Sequence, residues 1–274
     1  MGFQPLNTKD IDTQRITGRL LDLSVSIVLY HTPEETLKAC LASLSLCTLD
    51  MEILLIDNSE IPNSPNYIDN QKIRYIHNRE NTGFGAGHNL GIKAFEGKSK
   101  YHLILNADVY FGENVLERIF DFMERNKQYA HLMPKVEYPD GSPQLLCRGT
   151  PTLSTILIKR VVPGRLHGLF RKKLNKYESP DFDHNTLQEN IPFLSGCFMF
   201  LRTNAVNIAG GFDDRIFLYF EDAELTRRLL VHHKNVYFPE VTIWHAYGRG
   251  TKSKINHIIH AFKGLLIYLY KKRT

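Results

Sequence analysis

The chain has 274 residues, of which 43% are hydrophobic and 23% are charged. These are ordinary proportions for a globular protein, and the length suits one large α/β domain, alone or with an extension. No apolar run approaches the roughly 18 residues that a membrane-spanning helix needs, and the N-terminus lacks the apolar core of a signal peptide. We therefore expect a protein that is neither transmembrane nor secreted through a standard signal.

Charge is distributed unevenly along the chain. Residues 241–274 carry seven basic and no acidic side chains, whereas the preceding 240 residues carry 27 basic and 29 acidic ones. A tail with this bias predicts an anionic partner, either lipid or nucleic acid.

The cysteines do not suggest a disulfide framework. None of the four forms a CxxC pair, and two of them, Cys40 and Cys47, lie on one predicted helix. Reduced thiols in a cytosolic protein are therefore expected at Cys40, Cys47, Cys147 and Cys197.

The first half of the chain alternates predicted strands with predicted helices. Apolar, β-rich runs predict buried strands over residues 24–30, 51–57, 72–77 and 101–108. The stretch "TPEETLKACLASLSL" predicts a helix with Thr32 as N-cap, Pro33 in the first helical position and Glu35 completing a capping box. Further helices are predicted after "GFGAG" and over "ENVLERIFDFMERN". This alternation indicates a parallel sheet with helices on both faces.

Polar residues follow each of the four predicted strands. They are Tyr30 and His31, Asp57 and Asn58, Asn78 and Arg79, and Asn106 and Asp108. Ligands of parallel α/β sheets bind at the carboxyl ends of the strands. The convergence of these residues therefore predicts a ligand site.

Several of these motifs allow both a chemical and a structural interpretation. Asp108 is suited to hold a divalent cation together with diphosphate oxygens, although Asn and Asp are also common in turns. Asp57 is suited to accept a hydrogen bond from a pyrimidine imide, or it belongs to a simple "DNS" turn. His245 is either a metal ligand or a hydrogen-bonded structural residue. The glycines of "NRENTGFGAGHN" let a backbone approach a nucleotide closely, but they match no phosphate-binding fingerprint.

The stretch "LYFEDAELTRRLL" places Glu221 and Asp222 where an apolar segment meets a predicted helix. Acidic residues suit a helix N-terminus in any case. If Leu225 and Leu229 face the core, Asp222 shares their side, and Glu221 points about a quarter-turn away. We therefore expect Asp222 to face inward and Glu221 outward. A buried carboxylate suits general-base catalysis on a sugar hydroxyl, and the helix N-terminus helps to keep it ionised.

In their joint order, these motifs resemble the inverting glycosyltransferases of family 2 with the GT-A fold, and most of all the bacterial rhamnosyltransferase-like branch. The matching stretches are "SIVLYHTPEETL", "EILLIDNS", "NRENTGFGAGHNLGI", "LILNADV", "FLSGCFMFLR", "GGFDDRIFLYFEDAELTRRL" and "WHAYGRGT". The resemblance implies an α/β fold with a Rossmann-like, mostly parallel central sheet over residues 24–250. We expect an N-terminal extension over residues 1–23 and a basic amphipathic helix over residues 251–274.

The resemblance also implies roles for individual residues. Asp222 is implied to be the general base, and Asp108 and His245 to bind a divalent cation, Mn²⁺ or Mg²⁺. The implied nucleotide-binding residues are Tyr30, Asp57, Asn58, Arg79, Gly83 and Asn106, and the implied contacts of the two sugars are Gly196 and Glu221. Asn106 stands where the family's DxD motif has its first acid, which removes one negative charge from the metal site.

The implied reaction is inverting transfer of a sugar from a nucleotide sugar to a hydroxyl of a lipid-linked bacterial surface polysaccharide, at the inner face of the cell membrane. L-Rhamnose from dTDP-rhamnose is the first candidate donor, and a UDP-hexose is the alternative. A sugar-1-phosphate nucleotidyltransferase is disfavoured, because "YHTPEE" stands where that class has a glycine- and arginine-rich loop. A non-catalytic module that binds nucleotide sugars or glycans is the alternative of a different class.

Two basic, apolar segments predict contact with an anionic membrane. Residues 152–177 carry seven basic and no acidic side chains. The tail "INHIIHAFKGLLIYLYKKRT" places apolar residues at helical spacing between lysines. Alternatively, the tail is a helix packed on the catalytic domain with a solvated basic end. Nucleic acid is not expected as a partner, because no binding motif accompanies the charge.

Overall fold

The computed structural model describes residues 20–62, 71–178, 183–246 and 254–271. The strands are β1 (Leu21–Leu29), β2 (Met51–Asp57), β3 (Ile73–His77), β4 (Ser99–Leu105), β5 (Val109–Tyr110), β6 (Tyr129–Glu137), β7 (Cys147–Arg148), β8 (Gln188–Glu189), β9 (Phe193–Leu194), β10 (Phe198–Arg202) and β11 (Lys234–His245). The helices are α1 (Glu34–Ser45), α2 (Phe84–Ala94), α3 (Val115–Arg125), α4 (Leu153–Val161), α5 (Arg171–Glu178), α6 (Thr203–Ala209), α7 (Glu221–Leu229) and α8 (Lys254–Lys271). A 3₁₀ helix over Gly164–Phe170 joins α4 to α5.

The central sheet has the strand order β3-β2-β1-β4-β10-β6-β11-β5, with β8 also paired to β11. The first four strands pair in parallel, and so do β6 and β11. Antiparallel pairs involve β10, which enters the sheet between β4 and β6, and the two-residue strands β5 and β8. The predicted α/β fold with helices around a central sheet is confirmed.

Helices cover both faces of this sheet. One face packs on α1 and α3 through an apolar cluster that includes Val25, Leu41 and Ile119. The other face packs on α2, α6 and α7, where Ile104 and Leu225 belong to a second cluster. The core therefore lies in two layers, and the site must lie at an edge of the sheet.

The glycines of α2 let this helix pack unusually close to the sheet. A Cβ atom at Gly91 would lie 2.5 Å from the Cβ of Ser26, and one at Gly87 would lie 2.8 Å from a methyl group of Val28. Side chains of that size would push the helix away from β1. Gly87, one of the glycines predicted to favour close approach of a nucleotide, therefore serves close packing of the protein itself, and Gly91, which lies after that stretch, does the same.

The predicted capping box of α1 is wrong. Pro33 occupies the N-cap position with ψ of 141°, and no side chain caps the helix. The Thr32 hydroxyl instead accepts a hydrogen bond from the backbone N–H of Tyr30, and Glu35 pairs with Lys38. The extended ψ of Pro33 excludes it from the first helical turn, which moves the helix start one residue along.

The four cysteines are free thiols, and Cys47 lies beyond the end of α1 rather than on it. Burial raises the pKa of each thiol, which keeps the group protonated and unreactive.

The C-terminal helix α8 packs on the domain through one side only. Ala261, Leu265 and Tyr268 are buried in a cluster that also contains Phe220 and Ala223. Its other side exposes five large apolar residues: Ile258, Ile259, Phe262, Leu266 and Tyr270. The buried side fits the packed-helix interpretation of the tail. No helix in the described ranges is long and apolar enough to cross a membrane.

Candidate active site

The carboxyl ends of the four parallel strands lie side by side at one edge of the sheet. Leu29 at the end of β1 pairs with Asp57, and Asp57 pairs with His77 at the end of β3. β4 lies on the other side of β1 and ends at Leu105. The predicted polar residues therefore reach one edge: Tyr30 and His31, Asp57 and Asn58, Asn78 and Arg79, and Asn106 and Asp108.

Asp57 is a fully buried carboxylate with fixed orientation. One oxygen accepts a hydrogen bond from the backbone N–H of Ser59 at 2.9 Å, and the other accepts one from the Tyr75 hydroxyl at 2.6 Å. The Ser59 bond is the expected bond of a "DNS" turn. The same bonds hold the carboxylate rigidly at the strand end, where its role toward a nucleotide stays a prediction.

Asn58 and Gly83 hold the glycine-rich loop in place. The Asn58 amide donates to the Gly83 carbonyl at 3.1 Å and accepts from Asn78 at 2.9 Å. Gly83 has φ of +90°, and a side chain there would collide with the Phe217 carbonyl oxygen. The close approach at Gly83 is therefore to the protein's own backbone, and its role toward a nucleotide stays a prediction.

Tyr30 and Arg79 lie at the rim of this edge. The half-buried Tyr30 donates its hydroxyl hydrogen to Glu60 at 3.1 Å, and its ring meets His31 edge-on. Arg79 is exposed and has φ of +49°. The roles of both residues toward a ligand stay predictions.

Asp108 and His245 meet because β5 pairs with the end of β11. His245 lies opposite Val109 in this pairing, and the nearer Asp108 oxygen is 3.2 Å from His245 Nε2. The Asn106 amide nitrogen lies 3.5 Å from the same ring nitrogen. Strand pairing therefore brings Asn106, Asp108 and His245 together, although the sequence around each of them gives little indication of metal binding.

The sequence gives no indication of Gln144, which orients His245. Its amide nitrogen donates to the His245 carbonyl at 2.6 Å, so its oxygen is the atom 3.0 Å from His245 Nδ1. Because an amide oxygen only accepts, Nδ1 carries a hydrogen, and the ring is oriented with Nε2 toward Asp108. Metal-binding histidines in proteins are oriented in this way by a neighbouring polar group.

Asp108 and His245 are chemically suited to a divalent cation. A carboxylate oxygen and an unprotonated imidazole nitrogen are both common metal ligands. Within the described ranges, no group of three or more His, Cys, Asp and Glu residues forms a complete metal site. Remaining ligands would have to come from a bound molecule or from water.

The predicted orientation of the two acids on α7 is wrong. Glu221 is the buried one, 5% exposed, and its Oε2 atom has no hydrogen-bond partner among the described residues. Asp222 is half-buried. Asp222 precedes Leu225 by three residues and Leu229 by seven, so helical spacing alone favours its burial and does not account for the burial of Glu221. The left-handed Phe220 directly before the helix is the feature that spacing omits.

Asp222 is held by backbone N–H groups. One oxygen accepts from Gly196 at 2.9 Å and the other from Ala223 at 2.8 Å. Burial raises the pKa of Asp222, and these N–H groups and the positive charge of Arg148 oppose that rise. Burial, together with the charge of Asp222, raises the pKa of Glu221 well above its usual range, so Glu221 holds its proton to a higher pH than an ordinary glutamate.

Residues 196 and 197 bring the Asp222 carboxylate and the Asp108 region together. Gly196 donates to Asp222, and the carbonyl of the next residue, Cys197, accepts from the Asn106 backbone N–H at 2.9 Å. A side chain at Gly196 would press on Phe84 and on the Cβ of Asp222. Gly196, predicted to contact a sugar, is here a residue that positions the acid.

Arg148 is a further residue that the sequence does not single out. It lies on β7, which pairs with β9, and its guanidinium lies over the rings of Tyr177 and Phe193 at 5.9 and 5.8 Å. Its positive charge acts on Asp222. Nothing local in "LLCRGTP" indicates that contact, because it depends on pairing with a strand about 45 residues later.

Comparison with known proteins gives the family. The family model described as "Glycosyl transferase family 2" matches residues 24–207. The chain belongs to glycosyltransferase family 2. It is therefore a glycosyltransferase that uses a nucleotide-sugar donor, as the sequence predicts.

Individual relatives are more distant. The N-acetylglucosaminyl-diphospho-decaprenol L-rhamnosyltransferase of Mycobacterium tuberculosis (strain ATCC 25618 / H37Rv) is 25% identical over 283 aligned positions, covering 93% of this chain and 86% of the relative. Among solved structures, GalNAc-T7 with UDP, GalNAc and Mn²⁺ has a TM-score of 0.62 at 16% identity, covering 86% of this chain and 46% of that chain. S. aureus TarS 1-349 has a TM-score of 0.55 at 13% identity, covering 89% and 71%. These structures confirm the GT-A fold.

Proposed function

We propose that this glycosyltransferase inverts the configuration of the transferred sugar, with Asp222 as the general base. The connection through Gly196 and Cys197 carries the proposal, because it places the Asp222 carboxylate beside the strand end that bears Asn106 and Asp108. A base and a site for the leaving group must flank one anomeric carbon in such a reaction.

In the proposed reaction, Asp222 accepts the proton of the acceptor hydroxyl. The hydroxyl oxygen forms a bond to the anomeric carbon as the bond from that carbon to the nucleoside diphosphate breaks on the opposite side. The diphosphate leaves with the bonding electron pair. One displacement inverts the configuration, and no covalent enzyme intermediate is required.

Asp108 and His245 would hold a divalent cation, Mn²⁺ or Mg²⁺, in this reaction. A bound cation offsets negative charge that develops on a diphosphate leaving group. The orientation that Gln144 gives the His245 ring, with Nε2 toward Asp108, supports this assignment. Asn106 supplies a neutral amide where a second acid would bind the cation more strongly.

The nucleotide would lie along the ends of β1, β2 and β3. Asp57 would accept from the imide N–H of a pyrimidine, and Tyr30 and Arg79 would contact the nucleotide from the rim. Asn58 and Gly83 would act by holding the loop that borders it. The buried, fixed carboxylate of Asp57 supports this placement.

For the substrates, L-rhamnose from dTDP-rhamnose is the proposed donor, with UDP-hexoses as the alternative. The proposed acceptor is a lipid-linked glycan of a bacterial cell-envelope polysaccharide. The named activity of the mycobacterial relative, which acts on a diphospho-decaprenol carrier, supports both choices. A lipid-linked acceptor would place the enzyme at the inner face of the membrane.

A basic, apolar surface supports contact with an anionic membrane. Ile156 of α4, Tyr177 of α5 and Leu265 of α8 share one buried cluster, so the outer sides of these helices are neighbours. The exposed apolar residues are Leu153, Leu157, Leu166, Leu169, Phe170, Ile258, Ile259, Phe262 and Leu266. Exposed basic residues beside them are Arg165, Arg171, Lys172, Lys173 and Lys176. The basic residues of the tail outside residues 254–271 lie beyond the described ranges.

A donor panel tests the proposed function. Purified protein is mixed with Mn²⁺ and single nucleotide sugars, and thermal stabilisation and release of nucleoside diphosphate are measured. We expect dTDP-rhamnose to stabilise the protein and to be turned over, with an inverted anomeric configuration by NMR when an acceptor is supplied. Binding without any turnover across the panel and a set of lipid-linked acceptors would favour a non-catalytic binding module.

A further inference from the structure

The turn before α7 has an unfavourable backbone conformation. Tyr219 and Phe220 have φ of 71° and 72°, and neither is glycine. Left-handed conformations are disfavoured for bulky residues and persist only where the surroundings enforce them. Because this turn leads directly into Glu221 and Asp222, whatever enforces it also sets the direction in which the two acids point.

Helix α8 makes the contacts that enforce this turn. The Tyr219 hydroxyl forms a 2.7 Å hydrogen bond with His257 Nδ1. Gly264 lies against the Tyr219 carbonyl so closely that a Cβ atom there would collide with the oxygen. The Phe220 ring lies 6.5 Å from that of Tyr268. Both left-handed residues are thus held by the same helix.

Further contacts join α8 to the rest of the same loop and to α7. The rings of Phe217 and His260 stack at 4.4 Å. Arg227 donates to the Tyr268 carbonyl at 2.8 Å, and Lys271 reaches the buried Glu224 at 3.3 Å. These contacts are spread along α8, from His257 to Lys271. The helix therefore has a fixed position relative to the acid-bearing helix.

We propose that α8 is a positioning element for the Asp222 carboxylate, acting through Tyr219 and Phe220. Without it, relaxation of the two residues toward ordinary φ values would rotate the start of α7 away from Gly196. The inference rests on the proposed role of Asp222 as the base. It concerns a helix that lies outside residues 24–207, the part of the chain that the family model matches.

Two substitutions loosen the turn without touching the acids. Tyr219→Phe removes only the hydroxyl that bonds to His257, and Gly264→Ala pushes the Tyr219 carbonyl away from α8. The matched controls are Tyr237→Phe, which removes a hydroxyl bonded to the His184 carbonyl, and Gly168→Ala, where a Cβ atom would meet open space. For each variant, kcat, KM for the donor, nucleotide Kd and melting temperature are measured with a soluble acceptor.

We expect kcat to fall about threefold to tenfold in Tyr219→Phe, the range that loss of one hydrogen bond gives. In Gly264→Ala we expect a fall of about 10- to 100-fold, because a misplacement of about 1 Å has that effect on a reacting group. Nucleotide Kd and KM for the donor should stay within about twofold of the wild-type values. Both controls should keep the wild-type kcat.

The proposal would be overturned if kcat were unchanged in Tyr219→Phe and in folded Gly264→Ala. It would also be overturned if the fall in kcat of Tyr219→Phe were fully explained by the fraction of that variant that is unfolded. If Gly264→Ala does not fold, Tyr219→Phe alone decides. Asp222→Asn in the same assay separates this test from the proposed function. Full activity of Asp222→Asn would remove the base assignment, whereas an inactive Asp222→Asn beside a normal Tyr219→Phe would remove only the role of α8.

Discussion

The sheet has a parallel half, formed by β1 to β4, and a mixed half, formed by β5, β6, β10 and β11 together with α7, which packs on it. The two halves differ in how they present polar groups. In the parallel half, Asp57 ends a strand, and its two carboxylate oxygens accept hydrogen bonds from Ser59 and Tyr75, which lie close to it in the fold. In the mixed half, Asp222 follows a left-handed turn, and Glu221 beside it has an unsatisfied buried oxygen. The first arrangement is typical of a binding surface with fixed groups. The second retains the strain and raised pKa values that are common where chemistry is done.

The largest expected effect lies in the mixed half. Asp222→Asn keeps the shape of the side chain but removes the proton acceptor, so sugar transfer should fall by about 10²–10⁴-fold. Nucleotide affinity, which we propose to depend on the parallel half and the cation, should be unchanged. Steady-state transfer assays and calorimetry measure the two quantities. Near-normal transfer would show that the base lies elsewhere.

The second-largest effect is expected at Gln144, which orients His245 at the end of β11. Gln144→Leu removes the group that fixes the His245 ring, and such a loss typically weakens metal binding about 10- to 100-fold. Binding of Mn²⁺ is followed by electron paramagnetic resonance in the absence of nucleotide. Gln188→Leu, on the remote strand β8, serves as the control. Equal Mn²⁺ affinity in both variants would show that His245 needs no such support.

Acid sensitivity should come from buried histidines of the sheet and α2. Burial lowers the pKa of His102 and of His131 to about 3, and it lowers that of His88 well below its usual range. The unfolded chain therefore binds protons first as the pH falls below about 6.5. His102 and His131 should each remove about 1.4 kcal/mol of folding free energy per pH unit from there down toward about 3. His88 should act in the same direction.

Chemical denaturation at several pH values checks this slope. His131 is the most informative site, because neither ring nitrogen has a hydrogen-bond partner among the described residues. His131→Leu should reduce the slope of the folding free energy against pH by the contribution of one imidazole. It should not reduce the folding free energy at pH 7. An unchanged slope would mean that His131 is not neutral in the folded protein.

A smaller effect is expected at the outer side of α8. Phe262→Asp with Ile259→Asp should weaken binding to anionic phospholipid vesicles by about tenfold, because each buried apolar side chain contributes about 1.5–3 kcal/mol and the docked face is only partly buried. Wild-type binding should weaken with salt. Cosedimentation measures both. The exposed Ile208 on α6, replaced by Asp, is the control, and equal binding of both variants would place the docking surface elsewhere.

The smallest effect is expected at Glu221. A protonated carboxyl and an amide are both neutral, so Glu221→Gln should change transfer by no more than a few-fold and stability by about 1 kcal/mol or less. Activity and chemical denaturation are measured beside Asp222→Asn. A loss as large as that of Asp222→Asn would mean that Glu221 works as an ionised group.

The parallel half could be predicted from sequence because its strands and the polar residues that follow them depend on short, local sequence patterns. Each strand is a β-rich apolar run, and the polar residue after it reaches the site simply by following the strand. Asp57 and Asn106 were found in this way. Even here, the sequence does not show why residue 83 must be glycine, because the Phe217 carbonyl that a side chain would meet lies more than 130 residues away in the chain.

The mixed half could be predicted only through family resemblance. The insertion of β10 between β4 and β6 and the contact of Gln144 with His245 join distant segments, and no local period encodes them. The orientation of Glu221 and Asp222 was predicted wrongly, because a helical spacing cannot show a left-handed turn at the first residue before the helix. That turn depends on α8, which comes later in the chain.

We propose that one cation, held by Asp108 and His245, completes the nucleotide site. A calorimetric titration of dTDP into the wild-type protein, with Mn²⁺ and again with chelator, tests it most directly. We expect tight binding with Mn²⁺, binding at least about tenfold weaker with chelator, and the same weak binding for Asp108→Ala under both conditions. Equal affinity of the wild-type protein with and without metal would contradict the claim.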